Sequence, residues 1–429
     1  MRERPDKPVG QLPPQDWMEA PATRAVVAAL TADGAEVRFV GGCVRDAVLK
    51  RPIKDIDIAT HDPPQRVLAL LDDAGIHAIP TGLAHGTVTA VIGREHFEIT
   101  TLREDIETYG RHARVAFTDD WTADAARRDF TMNTLFADPS GAIYDPFDGL
   151  RDLGAGRVRF VGDPIKRIGE DVLRLLRYFR FQANYGRPPM DRVAVAACRK
   201  MAPRLESLSG ERISGEIIRL LQAPDPTSVL LVMHGEHVLD HVLPEARAFG
   251  RLRVLAWLES RAFVRASVRP DPIRRLGAVL VTDAAGASRM AERLKLSSAQ
   301  TGRIVAIAEP RAALAFDMDQ RALRRALHHL GADTVRDLIL VAWADRRSAA
   351  DRPDHLESEA WLRLIDATDA WRAIELPVKG RDLMAMGVPH GRRIGELLAE
   401  LEHWWEEADY QPERDEVLER ARLWIDGAQ

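Results

Sequence analysis

Cysteine is nearly absent from this chain: its 429 residues contain two, Cys43 and Cys198. Two isolated thiols build neither a disulfide framework nor a thiolate metal cluster, and they fit a reducing compartment, so a cytoplasmic protein is expected. Long apolar runs are missing as well. The opening stretch, MRERPDKPVGQLPPQDW, is charged and proline-rich. No later segment offers the ~20 apolar residues of a membrane span, which argues against secretion and membrane insertion. An excess of basic residues is also lacking. The net charge is −5, so nucleic-acid binding does not follow from charge alone. Residues 1–150 carry 16 Lys and Arg against 24 Asp and Glu, and the remainder 44 against 41. An acidic head suits metal ions and an arginine-rich remainder suits a polyanion, although ordinary scatter on a helical surface gives the same contrast. Neither a repeat of fixed length nor a low-complexity tract is present.

What the chain does have is 46% hydrophobic content, enough for more than one core and for two or three domains. Its densest chemistry lies in Phe39–Thr60, FVGGCVRDAVLKRPIKDIDIAT. The pattern predicts a strand, a Gly41-Gly42 turn into a helix, and a second strand carrying Asp55 and Asp57. Residues two apart on a strand share a face, so both carboxylates project together while Ile56 and Ile58 turn inward. Paired carboxylates repel each other and require a cation. A glycine turn at a helix N-terminus offers N–H groups to a phosphate chain. A metal site beside a polyphosphate site is therefore expected.

In chain order, residues 1–16 read as a flexible lead, followed by a helix over Ala20–Thr31 and a strand at Glu36–Val40. The His61-Asp62 pair reads as turn or capping chemistry, and Pro63-Pro64 starts a helix near Gln65–Ala74. Strands are expected at His77–Pro80, Thr87–Ile92 and His96–Thr100, the last two joined through Gly93-Arg94-Glu95. Glu98 is then either a third carboxylate beside Asp55 and Asp57 or a solvent-facing strand residue. Arg103–Arg127 reads as a mobile loop leading into a helix at Thr122–Arg128. The dense polar cluster Arg127-Arg128-Asp129-Phe130-Thr131-Met132-Asn133 either clamps phosphates and a ribose or ends a solvated helix. A strand is expected near Thr134–Ala137. From Asp163, an N-cap ahead of Pro164, the chain turns helical and stays so. That helix is expected to run to Phe181, with Asp171 and Arg174 three apart on one face and Arg177 and Arg180 continuing the row. Trp404 and Trp405 read as core packing rather than base-stacking platforms.

The spacing G-G-x12-D-x-D of Gly41, Gly42, Asp55 and Asp57 resembles the polymerase-beta nucleotidyltransferase superfamily. RRDFTMN at Arg127–Asn133, EDVLR at Glu170–Arg174 and ERISGE at Glu211–Glu216 follow in the order of the class II tRNA nucleotidyltransferases. These are the CCA-adding enzymes and their bacterial poly(A) polymerase relatives. TGLAHGT at Thr81–Thr87 and DPFDGLRDL at Asp145–Leu153 are similar to that family's blocks too, and the resemblance covers residues 36–220. It implies an α+β head with a mixed five-stranded sheet and helices, a polymerase-beta-like palm, followed by an all-α neck, body and tail. On that plan residues 1–35 are the lead and first helix, 36–160 the head, 161–222 the neck, 223–375 the body, and 376–429 a tail contacting tRNA.

The resemblance further implies a site. Gly41, Gly42 and Arg45 would bind triphosphate, and Asp55 and Asp57 would hold two Mg2+ ions with Glu98 as third acidic position. Arg128, Asp129 and Asn133 would hold ribose and phosphates. Asp171 and Arg174 would read the base, assisted by Arg177, while Arg212 and Glu216 brace the helix that does so. The implied substrates are tRNA, CTP and ATP, with no membrane and no protein partner. The implied reaction is addition of CCA to the tRNA 3′ end. Poly(A) synthesis and partial CC or A addition are the rival chemistries. The missing basic tail argues against the first, and the full-length Arg103–Arg127 segment argues against the CC-only variant. A catalytically dead RNA-binding protein would have lost one metal carboxylate, and both are present.

Overall fold

We describe residues 7–109, 112–260, 264–349 and 355–426 of the computed structural model. Residues 1–6 of the expected lead, 110–111 of the expected loop and 427–429 of the expected tail lie outside the described residues. The chain forms two units: residues 1–244 with 293–295, and residues 245–292 with 296–429.

The first unit opens with β1 (Gly10–Gln11), α1 (Asp16–Glu19), α2 (Pro21–Leu30) and β2 (Val37–Val40), then α3 (Gly42–Val48) and β3 (Ile56–Thr60). After α4 (Pro64–Asp73) come β4 (His77–Gly82), β5 (Thr87–Ile92), β6 (Glu95–Thr101), β7 (Arg103–Tyr109) and β8 (His112–Phe117). Next are α5 (Trp121–Ala126), β9 (Phe136–Ala137), β10 (Ala142–Tyr144) and α6 (Gly149–Ala155). Eight of these strands form one mixed sheet in the order β1-β10-β9-β2-β3-β6-β5-β4. All neighbours are antiparallel except β3 and β6.

Three features differ from the sequence expectation. The sheet has eight strands rather than five: β9 is the strand expected near Thr134–Ala137, while the two-residue β1 and the three-residue β10 were not expected. Runs that short carry no period. Gly10-Gln11, expected in a flexible lead, pairs with Ile143-Ala142 at the sheet edge. The expected loop after Arg103 is instead a two-stranded hairpin, β7 with β8.

The sheet is covered because its strands alternate. Val88 and Ala90 of β5 and Phe97 and Ile99 of β6 are buried, as period-two apolar positions require. Helix α4 lies against β4, β5 and β6, and against α2. On α5, Trp121 and Ala125 pack with Val40, Ala59, Leu102 and Phe136.

Helices complete the first unit: α7 (Pro164–Glu170), α8 (Leu173–Tyr185), α9 (Arg192–Met201), α10 (Gly210–Leu221) and α11 (Thr227–Gly235). The single helix expected from Asp163 to Phe181 is broken at Asp171, whose backbone is extended at φ −146° and ψ 110°. The Asp171 carboxylate accepts from the N–H of Leu173 at 3.1 Å and so starts α8 afresh.

The second unit is helical throughout its described residues. It comprises α12 (Phe249–Ser260), α13 (Pro272–Val279), α14 (Ala284–Arg293), α15 (Ser298–Ala308), α16 (Gln320–Leu330) and α17 (Ala332–Ala349). Then follow α18 (His355–Ala370), α19 (Gly380–Ala385), α20 (Arg392–Glu407) and α21 (Arg414–Asp426). Two apolar clusters hold it. Trp343 and Trp361 anchor one; Trp405 anchors the other with Trp404 packed against it, as core tryptophans.

Candidate active site

Asp55, Asp57 and Glu98 are neighbours on and beside β3 and β6, close enough for the charges of the other two to act on Asp57. Asp57 sits opposite Glu98 in the parallel register, and Asp55 immediately precedes β3. Glu98 and Asp55 are exposed, and Asp57 is half-buried. Burial pushes the Asp57 carboxyl up, and the like charges of Glu98 and Asp55 add to it against the pull of Arg128 and Arg45. Its pKa rises from 3.8 to about 6. Among the described residues no group of three or more His, Cys, Asp or Glu side chains stands ready-made around an ion position. The donor chemistry nevertheless fits a hard divalent cation: oxygen ligands with unbalanced negative charge. Cys43 lies beneath, donating toward the carbonyls of Val40 and Asp57 at 3.4 and 3.7 Å. Burial pushes its thiol up to about 11, so it is no nucleophile.

The glycine turn precedes α3. Gly41 takes φ +71°, and a side chain there would come 3.4 Å from the Arg128 guanidinium, so only glycine fits without strain. Its own N–H is donated to the carbonyl of Leu135 at 3.1 Å, so its contribution is the turn itself rather than a phosphate donor. Gly42 begins α3. One turn on, Arg45 donates to Asn133 Oδ1 at 2.7 Å and to Asp46 at 2.8 and 3.0 Å.

From Arg45 a string of hydrogen bonds runs through residues far apart in sequence. Asn133 Nδ2 donates to Asp129 Oδ1 at 2.9 Å, and Arg177 of α8 donates to Asp129 Oδ2 at 2.7 Å. Burial opposes the Asp129 charge, but Arg177 and Asn133 outweigh it and hold the carboxyl below its usual range. The RRDFTMN cluster is therefore bonded into the interior through Asp129 and Asn133 and is not a solvated helix end. The DPFDGLRDL block supports it from behind. Thr131 donates to Asp152 at 2.6 Å, and a side chain on Gly149 would lie 2.2 Å from the Thr131 carbonyl.

Several positioning residues escaped the sequence reading. Asp124 of α5 is buried and receives Arg127 at 2.7 Å and Arg128 at 2.9 Å. Despite burial, the two arginines hold its carboxyl below the usual range. The signal was the i, i+3, i+4 spacing on the helix expected at Thr122–Arg128. Glu170 likewise gathers Arg167 at 2.7 Å and Arg174 at 2.6 Å. Tyr185, at the end of α8, stacks on Arg45 at 4.3 Å and on Arg51 at 4.5 Å. Together with Gly42, Asp55 and Asp57 these three line a cavity of about 400 Å3.

Asp171 and Arg174 do not share a helix face, because the chain breaks between α7 and α8. Arg212 of α10 donates to both Asp171 oxygens, at 2.9 and 3.0 Å. Arg174 is held by Glu170 and by the carbonyls of Arg167 and Arg127. Glu216 takes Arg180 of α8 at 2.5 Å and Arg219 at 2.8 Å. Arg212 and Glu216 thus both reach residues of the Asp171–Tyr185 stretch.

Residues 37–159 match the family described as Poly A polymerase head domain, and residues 190–249 the family described as probable RNA and SrmB-binding site of polymerase A. A CCA tRNA nucleotidyltransferase 1, mitochondrial, from Danio rerio is 33% identical over 394 residues, 89% of this chain and 86% of its own. The chain belongs to the class II CCA-adding enzyme family. A CCA-adding enzyme of Streptococcus gordonii is 40% identical across 49% of this chain and 51% of its own. In fold, the Bacillus stearothermophilus CCA-adding enzyme in complex with CTP is similar at a TM-score of 0.72 and 25% identity, covering 94% of this chain and 96% of that one. Like that CCA-adding enzyme, the chain combines a mixed-sheet head with a helical remainder. No described helix is long and apolar enough to cross a membrane.

Proposed function

We propose that this chain adds CCA to the 3′ end of tRNA, using CTP and ATP and releasing pyrophosphate. The observation that carries this reading is the unbroken string Arg45–Asn133–Asp129–Arg177 beside the unbalanced carboxylates of Asp55, Asp57 and Glu98. It is a cation site set against a preorganised cationic clamp, which is what transfer from a triphosphate needs.

Asp55 and Asp57 would hold two Mg2+ ions, with Glu98 as the third acidic position. Divalent ions bound there supply neutralisation of the triphosphate and a lowered pKa for the attacking hydroxyl. The chain's own groups position. Gly41 shapes the turn, Gly42 opens α3 toward the phosphates, and Arg45 and Arg128 face them. Asp129 and Asn133 orient the ribose, and Arg177 keeps Asp129 ionised and in place. No thiol or histidine nucleophile is required.

Base choice falls to Asp171 and Arg174. Cytosine and adenine each present an amino donor beside a ring-nitrogen acceptor, whereas uracil and guanine reverse the pattern. Asp171, oriented by Arg212, accepts from the amino group. Three of the five guanidinium N–H groups of Arg174 are already bonded within the protein, which fixes its plane and leaves two for the ring nitrogen. A wrong base would set a carboxylate against a carbonyl oxygen, at a cost of ~1–3 kcal/mol or more. Residues 36–160 act in this reading as head, 161–222 as neck, 223–375 as body and 376–429 as a tail contacting tRNA. Both cysteines are buried free thiols, which fits a reducing compartment such as the cytoplasm, although the Danio rerio relative is named mitochondrial.

The test supplies purified protein and magnesium with tRNA transcripts ending before CCA, after C and after CC, and CTP or ATP in turn. Stepwise growth to CCA and no further is expected. Long A tails would assign poly(A) synthesis, and arrest after CC would assign the partial enzyme; either overturns the reading.

A further inference from the structure

A second, larger cavity of about 760 Å3 lies in the first unit and shares no lining residue with the candidate active site. Its walls are Pro188, Pro189 and Met190 after α8, Val195 of α9, and Val229 and Val232 of α11. That volume and a lining that mixes apolar walls with polar groups are what small planar ligands occupy.

Among its polar lining residues, one is held with no partner in the protein. Gln182 of α8 is only 5% exposed and lines this cavity, yet its carboxamide makes no hydrogen bond within the protein. Its amide atoms are open to the solvent of the cavity rather than sealed in the core, where a ligand edge can take the place of water. Its position is built in. Gly186 adopts φ −78° and ψ 152°, extended backbone open to any residue, but a side chain there would come 2.1 Å from Gln182 Nε2. The glycine keeps room for the amide.

The chemistry of the remaining polar residues narrows the ligand. Arg199 is matched by Glu236 at 3.3 Å, and Asp225 adds a further negative charge to the lining. Such a balance does not favour a phosphate. A carboxamide presents a donor and an acceptor side by side, the complement of a heterocycle edge bearing an acceptor beside an amino group. Arg192 adds a guanidinium at the same cavity for stacking on a flat ring. We propose that this cavity binds one neutral nucleobase, paired edge-on with Gln182 and walled by the prolines and valines. The base comes from a free nucleoside or from an unpaired position of an RNA.

The consequence reaches the catalytic side, because one helical turn serves both cavities. Tyr185, which stacks on Arg45 and Arg51, lies between Asn184 and Gly186 of the second cavity. Arg51 also donates to the Asn184 carbonyl at 2.8 Å.

The test titrates adenosine and cytidine into the full-length protein by calorimetry, and a tRNA transcript ending before CCA by filter binding. Each is measured on an Asp171→Ala background, which removes base reading at the first site, with and without Gln182→Met. Adenosine, cytidine or the transcript should bind the background protein and weaken about tenfold on Gln182→Met. Loss confined to nucleosides assigns a free ligand, and loss confined to the transcript assigns an RNA base. Ala196→Trp, at an exposed lining residue, fills the cavity from another wall and gives the same loss should Gln182→Met fail to fold. Binding of all three probes unchanged in both variants overturns the proposal. So does nucleoside binding that Asp171→Ala abolishes while tRNA affinity ignores both cavity variants.

Discussion

Each unit contains acidic residues out of water, and the two groups are built on opposite principles. In the second unit Glu259 is fully buried and takes Arg274 and Arg275, each at 2.5 Å. Asp337 takes Arg274 at 2.7 Å and Arg303 at 2.8 Å. Charges alternate, and each carboxylate faces two guanidinium groups. In the first unit Asp57 has Glu98 and Asp55 for neighbours, while the nearby arginines are committed elsewhere, Arg45 to Asp46 and Asn133 and Arg128 to Asp124. In the proposed reading, cations from outside complete that group. Burial raises both Asp57 and Glu259, so burial alone does not separate scaffold from reaction centre; the sign of the neighbours does.

The sharpest way to break this contrast is Asp57→Asn. Nucleotide addition should fall by about 10^3-fold, ~4 kcal/mol, as one ligand of the reaction centre is lost. The metal-free fold should move the other way. The folded Asp57 pKa of about 6 lies above its ordinary 3.8, so its contribution to stability is fully present below pH 3.8 and is lost as pH rises through 6. At pH 7 the ionised group is a burden of roughly 2 kcal/mol. Asp57→Asn should relieve it and flatten the stability profile between pH 4 and 6, read by urea unfolding in EDTA. A variant less stable than wild type at pH 7 would mean that Asp57 is already neutralised in the metal-free protein.

Glu259→Gln tests the other half. It leaves Arg274 and Arg275 short of a buried counter-charge and should cost ~3–5 kcal/mol in urea unfolding. A loss under 1 kcal/mol would show that Glu259 does not balance the two guanidinium groups.

A smaller effect is expected between these extremes, at Asp124→Ala. It touches no substrate in our reading but releases Arg127 and Arg128. Activity should drop about 10- to 100-fold, ~1.4–2.7 kcal/mol, with KM for the nucleotide rising more than kcat falls. A change in kcat alone would give Asp124 a part in the chemistry rather than in holding the clamp.

The proposed reaction centre was the most legible part of the sequence, because Asp55 and Asp57 obey the simplest rule of strands. Glu98 was ambiguous on alternation alone and became placed by the parallel pairing of β3 with β6, a non-local fact. The residues that hold others were harder to see. Asp171 looked like mid-helix because Glu170-Asp171-Val172-Leu173 keeps a helical pattern, and the partner that draws it out, Arg212, lies 41 residues on. The β7–β8 hairpin was missed because its strands are charged and lack clean alternation. That the chain stays helical through the second unit was legible, since amphipathic periodicity is local.

The interruption at Asp171 bears on how such a protein can change over generations. The backbone register that sets Asp57 beside Glu98 belongs to the sheet, whereas Asp171 and Arg174 sit at a joint between two short helices. With the base-reading role proposed for Asp171 and Arg174, substitutions near that joint would alter which nucleotides are taken up while the carboxylates proposed to hold the metal keep their spacing. A lineage could thereby revise the spelling of the end it writes without ever passing through an ancestor unable to write.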